Sequence, residues 1–285
     1  MEYLRGWRAM RQDPEWLKKI GVGALVTLSG MCIPIVGQIV LVGWTSLILR
    51  RAVSGVDAPL PRLDLDFDYL SKLLNVGFKG FLARLLWSLP VVVLVMGSFC
   101  CIYIAMGGAA MVGMAGAASG SDVGAGLGGI GAMCVMVGAV GLYFAAMFAL
   151  SLPMQVAVLR AELTDDVNAA MRFKEVMSMT RMLLKELIIG YVVMTAVGMI
   201  GGIVSVLTLY IGFFPVLAVM QVITTYYYAE LYKAYLQKGG QPLPIGPLDV
   251  EGGSTAQPGA QPPQSGFQPP GGFQPPGGFQ PPPQF

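Results

Sequence analysis

Histidine is absent from the 285 residues, and charged residues make up only 12% of them, against about 25% in a soluble globular protein. The missing histidine removes the commonest general base and metal ligand. The scarcity of charge removes the polar surface that an ordinary soluble domain presents to water. A formal net charge of +2 leaves no basic field for nucleic acid. The four cysteines, Cys32, Cys100, Cys101 and Cys134, lie inside apolar stretches with no C-x-x-C spacing. That pattern implies neither a disulfide framework nor a zinc site, and each is read as a small hydrophobe. Hydrolase, redox and metalloenzyme chemistry lose ground together, and no cofactor, metal or nucleic-acid partner is expected.

What is present is apolar. Hydrophobic residues are 55% of the chain and the mean hydropathy is +0.65. Uncharged or nearly uncharged stretches run from Ile20 to Leu49, from Leu85 to Leu159 with Asp122 as the single interruption, and from Leu187 to Ala229. About 20 apolar residues cross a bilayer, so the chain reads as an all-α, polytopic helical membrane protein. The first run begins after five basic residues at 5–19 and exceeds the apolar core of a signal peptide, so a retained N-terminus is expected. The second run divides at the Gly/Ser/Ala-rich piece 116–129 and the third ahead of Pro215, which suits the first turn of a new helix. The expected spans are about 85–115, 130–159, 187–208 and 214–236.

Residues 20–50 are too long for one upright span and too short for two. Pro34, Gly37 and Gln38 sit at the centre, so a hairpin of two helices, 20–32 and 35–50, is expected. Charge supports it. All 18 Lys and Arg fall at 5–19, 50–84, 160–185 and 233–238. With the basic excess on the cytoplasmic side, the even crossing places both termini inside and 116–129 and 209–213 outside a cell membrane.

Each basic segment also reads as an amphipathic interfacial helix. Phe67, Leu70, Leu74, Phe78, Phe81 and Leu85 recur every three or four residues. Val167, Ala170, Met171, Met177, Leu183 and Leu184 do likewise behind Asp165 and Asp166. Asp13 and Pro14 open a third such stretch, with Asp13 as N-cap. The plan is three repeats of interfacial helix plus membrane hairpin over residues 1–238. From 239 to 285 the composition turns to Pro, Gly, Gln and Phe, with Gly-Phe-Gln-Pro-Pro repeating at Phe267, Phe273 and Phe279. Such a segment cannot bury enough surface to fold and reads as a disordered tail with three apolar contact points.

The run Ile33-Pro34-Ile35-Val36-Gly37-Gln38, then Leu49-Arg50-Arg51, then Leu60-Pro61 and Asp64-Leu65-Asp66-Phe67-Asp68 resembles a prokaryotic family of multi-pass membrane proteins, domain of unknown function 4013, over roughly residues 15–235. The resemblance implies a helical cell-membrane protein and supplies no activity, cofactor or catalytic residue.

The remaining motifs are chemically quiet. Asp64, Asp66 and Asp68 fit helix-entry capping better than a cation site, since an EF-hand needs Gly and Glu where Tyr69 and Asn75 stand. Gly198-x-x-x-Gly202 offers a small face for helix packing inside the monomer, with a homo-oligomer as the alternative use. Gln38, Gln155, Thr195, Ser205 and Gln221 are expected to hydrogen-bond between helices. Tyr226, Tyr227, Tyr228, Tyr232 and Tyr235 are expected to form an aromatic belt at the membrane surface. The functional expectation is non-enzymatic: a membrane scaffold that engages the bilayer and recruits a cytoplasmic protein through its tail. The alternative is a permease or flippase for an apolar or zwitterionic substrate, with Pro34 and Gly37 at a broken-helix site.

Overall fold

A computed structural model describes residues 2–3, 5–30, 34–118, 122–208 and 211–250. All regular structure among them is helical: α1 (Arg5–Gln12), α2 (Trp16–Ser29), α3 (Pro34–Val53), α4 (Phe67–Ala118), α5 (Asp122–Thr164), α6 (Val167–Met171), α7 (Phe173–Met182), α8 (Leu184–Leu207) and α9 (Phe213–Gln237). The tail repeats with Phe267, Phe273 and Phe279 lie outside the described residues.

The N-terminal hairpin forms as α2 and α3. Its register is antiparallel: a β-carbon on Gly37 would lie 2.6 Å from the Val26 carbonyl oxygen, and one on Gly23 would lie 4.0 Å from Leu41. Glycine at 37 is what lets the two backbones approach. Pro34 opens α3, where a missing N–H does no harm.

The connection from α3 to α4 is a crossover rather than a surface helix. Residues 54–66 carry the chain back along α2, so α4 starts level with the hairpin turn and runs parallel to α3. Ile39 and Gly43 of α3 meet Leu73 and Gly77 of α4, and Val42 and Ser46 meet Gly80. A β-carbon on Gly43 or Gly77 would overlap the facing backbone. This corrects the expected interfacial helix at 67–85. It is continuous with the first half of the second apolar run, giving one helix of 52 residues, about 78 Å long at 1.5 Å per residue. Tyr69, Leu73, Gly77, Gly80 and Ala83 are buried, while Phe67, Phe78 and Leu85 of the expected apolar stripe are exposed. The seam with α3 is made by small residues on the other face, because close helix contact needs short side chains.

Among the described residues, four helical stretches are long and apolar enough to cross a membrane: Ile35–Val53, Phe67–Cys101, Val140–Thr164 and Leu184–Leu207. α9 forms where a span was expected, but much of it is enclosed by protein. Tyr226, Tyr227, Tyr232 and Tyr235 are each at most 9% exposed, so they belong to the core rather than to a membrane-surface belt. They pack with Trp44, Leu47, Ile48, Leu159 and Val222 into one cluster. Outside it, α8 and the distal parts of α4 and α5 present Val93, Ile104, Val137, Leu142, Val192, Ile203 and Leu207 to the surroundings. A surface of that kind is unsuited to water and suited to lipid. The chain is an integral membrane protein.

Candidate functional site

Arg50 and Arg5 each join three separate parts of the packed body. Arg50 stands in the last turn of α3 and is 1% exposed. Its Nε donates to the Glu162 carbonyl oxygen at 2.8 Å, Nη1 to the Pro247 carbonyl oxygen at 3.1 Å and Nη2 to the Asp165 carboxylate at 2.9 Å. Glu162 and Leu163 end α5, where helix carbonyls have no partner in their own ladder. Arg50 satisfies the first, and the Gly246 amide satisfies the second at 2.8 Å. Asp165 adopts a left-handed φ of 58° just past the helix, a conformation that aspartate tolerates better than most residues. Its other oxygen accepts from Lys79 Nζ at 2.7 Å.

Glu162 extends the cluster. One carboxylate oxygen accepts from Arg84, while the other is buried with no hydrogen-bond partner. Arg160 donates to the Ala169 carbonyl oxygen and pairs with Glu175. The hydrogen bond and charge of Arg160 hold the Glu175 carboxyl below its ordinary pKa.

Arg5 ties the N-terminus to the crossover and to α9, at 2.6 Å from Asp57 and 2.5 Å from Glu230. The Tyr226 hydroxyl donates to the Asp57 carbonyl oxygen at 2.6 Å. The Glu230–Lys233 pair forms as well, at 3.5 Å, and is the weaker contact. Between α1 and α2, Asp13 is 1% exposed and accepts from Lys19 Nζ at 2.7 Å and from the amides of Leu60 and Glu15 at 2.8 Å each. Burial opposes charge on that carboxylate, but Lys19 and the two amides outweigh it and its pKa is lowered. Asp13 is not the expected N-cap, because Glu15 holds that position; Asp13 stands two residues ahead of it and organises the start of α2 through the Glu15 amide.

These contacts use each cation to cap a carbonyl or neutralise a carboxylate. Among the described residues, no group of three His, Cys, Asp or Glu converges as a metal site. The consequence is mechanical: residues 239–250, expected as the beginning of the tail, are strapped to the body. Leu243 N donates to the Tyr232 hydroxyl at 2.8 Å, Leu243 and Val250 pack on the core, and Gly246 crosses Arg50 where a β-carbon would lie 2.9 Å from its guanidinium carbon. Composition alone hid this, because the strap uses backbone groups and a single glycine rather than a run of apolar side chains.

The second feature is an apolar pocket of about 310 Å³ above the glycine seam, lined by α2, α3 and α4 and including Gly37. Gln38 is exposed beside it. Of the other predicted positions, Gly198 meets only the end of Met220 at 3.9 Å and Gly202 faces open space, whereas Gly201 between them lies against Val216. Thr195 and Ser205 do not bond between helices. Each hydroxyl donates to the carbonyl four residues back in its own helix, at Tyr191 and Gly201, as exposed or half-packed helical hydroxyls do. Asp66 caps the entry to α4 by accepting from the Asp68 amide at 3.3 Å, and Asp64 pairs with Arg62 and Lys18.

The model of the family described as Protein of unknown function (DUF4013) matches residues 27–210, more than half of the chain, and the chain belongs to that family. No curated protein and no solved structure matches it.

Proposed function

We propose that this member of the family is a non-enzymatic scaffold of the cell membrane, with both termini cytoplasmic, that recruits a cytoplasmic protein through its Pro/Gln/Phe-rich tail. The observation that carries the reading is the strap. Residues 239–250 are pinned across Arg50 and Leu163, so the following 35 residues begin at a defined place on the body. Three Gly-Phe-Gln-Pro-Pro repeats on such a tether offer one partner several weak contacts and raise its effective concentration. The orientation rests on the positive-inside bias, because the described distal parts of α4, α5 and α8 carry no Lys or Arg.

The test is photocrosslinking in cells from probes at 267, 273 and 279 of the full chain, compared with a chain ending at residue 251. The expected result is a discrete protein adduct that disappears with the tail. An unchanged set of adducts after truncation sinks the scaffold reading. Cysteine labelling from outside should reach position 120 and spare positions 3 and 255; labelling at 3 refutes the orientation.

The pocket beside Gly37 favours a second reading, a permease or flippase for an apolar or zwitterionic substrate. Proteoliposomes that neither scramble a fluorescent phospholipid nor take up a broad solute panel would remove it.

A further inference from the structure

α7 is two-sided, and the fold uses only one of its sides. Val176, Met179 and Thr180 are buried, and Arg160 of α5 reaches the helix through Glu175. Lys174, Ser178 and Arg181, spaced four and three residues apart, are exposed, as one outward face of a helix requires. The helix breaks at Leu183, and the Met182 carbonyl oxygen just before the break accepts from Lys238 Nζ at 2.6 Å. Lys185 follows, exposed in the first turn of α8.

These three cations are left over after the local charges are matched. Glu175 pairs with Arg160 and, at 3.4 Å, with Arg172; Glu186 pairs with Lys238 at 2.8 Å. Asp165 takes Arg50 and Lys79, and Asp166 caps α6 through the Asn168 amide at 2.9 Å. Among the described residues Lys174, Arg181 and Lys185 enter no ion pair. The outward face is therefore positive.

Its neighbours place it at the edge of the lipid. Phe173, the first residue of α7, stacks on Trp87 of α4 with ring centroids 6.0 Å apart. Arg84 is the last charge of α4, and past Trp87 that helix exposes Leu89, Val92 and Val93. At the other end of α7, Lys185 and Glu186 are the last charges of α8, which then exposes Ile188, Ile189 and Val192. α7 thus joins the two points where apolar helices lose their charges, the depth at which headgroups meet hydrocarbon. Met171, Phe173 and Leu184 are exposed among the cations. Cations interleaved with exposed apolar side chains suit phosphates above an acyl boundary, whereas an acidic protein surface calls for the cations alone.

We infer that the outward face of α7 and the first turn of α8, carrying Lys174, Arg181 and Lys185, is a docking surface for the phosphate headgroups of anionic phospholipids. Phe173 and Leu184 enter the acyl boundary beside them. The surface stands whether or not the tail recruits a protein.

The test uses the full chain in phosphatidylcholine nanodiscs containing a minority of phosphatidylglycerol. Lipids that stay on the chain when the discs are opened are counted by native mass spectrometry. Phosphatidylglycerol should be enriched on the chain over its share of the disc. Removing one charge, as in Arg181→Gln, should lower that enrichment by up to about fivefold. Lys174→Gln, Arg181→Gln and Lys185→Gln together should bring it to the ratio of the disc, with the circular-dichroism melt retained because all three positions are exposed. Lys174→Arg with Lys185→Arg keeps the charge, guards against a misfolded triple variant, and should keep the enrichment. Equal retention of the two lipids means ordinary bilayer contact and overturns the inference. So does enrichment that survives the triple variant; if that variant instead loses binding of fluorescent polyglutamate in pure phosphatidylcholine discs, the face belongs to an acidic protein.

Discussion

α3 and α8 are both apolar helices long enough to cross a bilayer, yet 78% of the most apolar window of α3 is buried inside the protein against 17% for α8. The difference lies in their neighbours. α3 carries Gly37 and Gly43, which admit α2 and α4 to backbone distance, and it ends in an arginine that gathers the end of α5 and the strap. α8 meets α9 through Gly190 and Gly201, and exposes Ile200, Ile203, Val206 and Leu207. Apolar composition says only that a helix avoids water. Whether protein or lipid replaces the water depends on whether another helix fits against it.

The sharpest way to break the contrast is at the seam. Gly77→Val would drive a side chain into the Ile39 backbone, which cannot move out of the way as a flexible side chain does. No folded protein is expected by size-exclusion in detergent, and a monodisperse variant with the native melt would refute the parallel α3–α4 packing. Next comes Arg50→Ala, which leaves Asp165 with Lys79 alone and takes the donor from the buried Glu162 carbonyl and from the Pro247 carbonyl of the strap. Leaving a buried acceptor unsatisfied costs about 1–3 kcal/mol, and limited proteolysis should then cut within 239–250. Protection at those residues would show that the strap does not depend on Arg50.

Asp13→Ala leaves the Lys19 ammonium with only the Leu60 carbonyl oxygen as acceptor and two amides unpaired, and should cost about 3 kcal/mol. The same carboxylate predicts a pH dependence. Its folded pKa lies below the ordinary 3.8, so its stabilisation is present above that value and lost as pH falls through the lowered pKa. Acid titration of the wild type and Asp13→Ala should therefore converge at the acid end; a constant gap down to complete unfolding contradicts the assignment. The smallest effect belongs to the exposed helix. Gly202→Ala meets open space and should leave the melt unchanged or raise it by up to about 1 kcal/mol through helix propensity. A clear loss would reveal a close partner at that face, the contact a homo-oligomer needs.

Much of the architecture is legible in the chain itself. The helical membrane class follows from apolar runs that only helices can carry through lipid with their backbone groups satisfied. The turn near Pro34 and Gly37 follows from residues that disfavour helix continuation. The core position of Tyr226, Tyr227 and Tyr232 was not legible, because Tyr suits a membrane surface and a buried hydrogen-bonded site equally well. Nor was the charged cluster. Arg50, Glu162, Asp165 and Pro247 are separated by up to 197 positions, and each alone reads as an end-of-span charge.

The local grammar of the sequence determined which stretches are helical, where prolines and glycines punctuate them, and that lipid must cover much of the result. Tertiary structure decided which face of each helix is shared, that α4 runs beside α3 rather than along a surface, and that the first residues of the tail are held. The physical reason is one of range. Helix formation and hydrophobicity are properties of consecutive residues, whereas a glycine seam or a capped carbonyl exists only when a second, distant backbone arrives within contact distance.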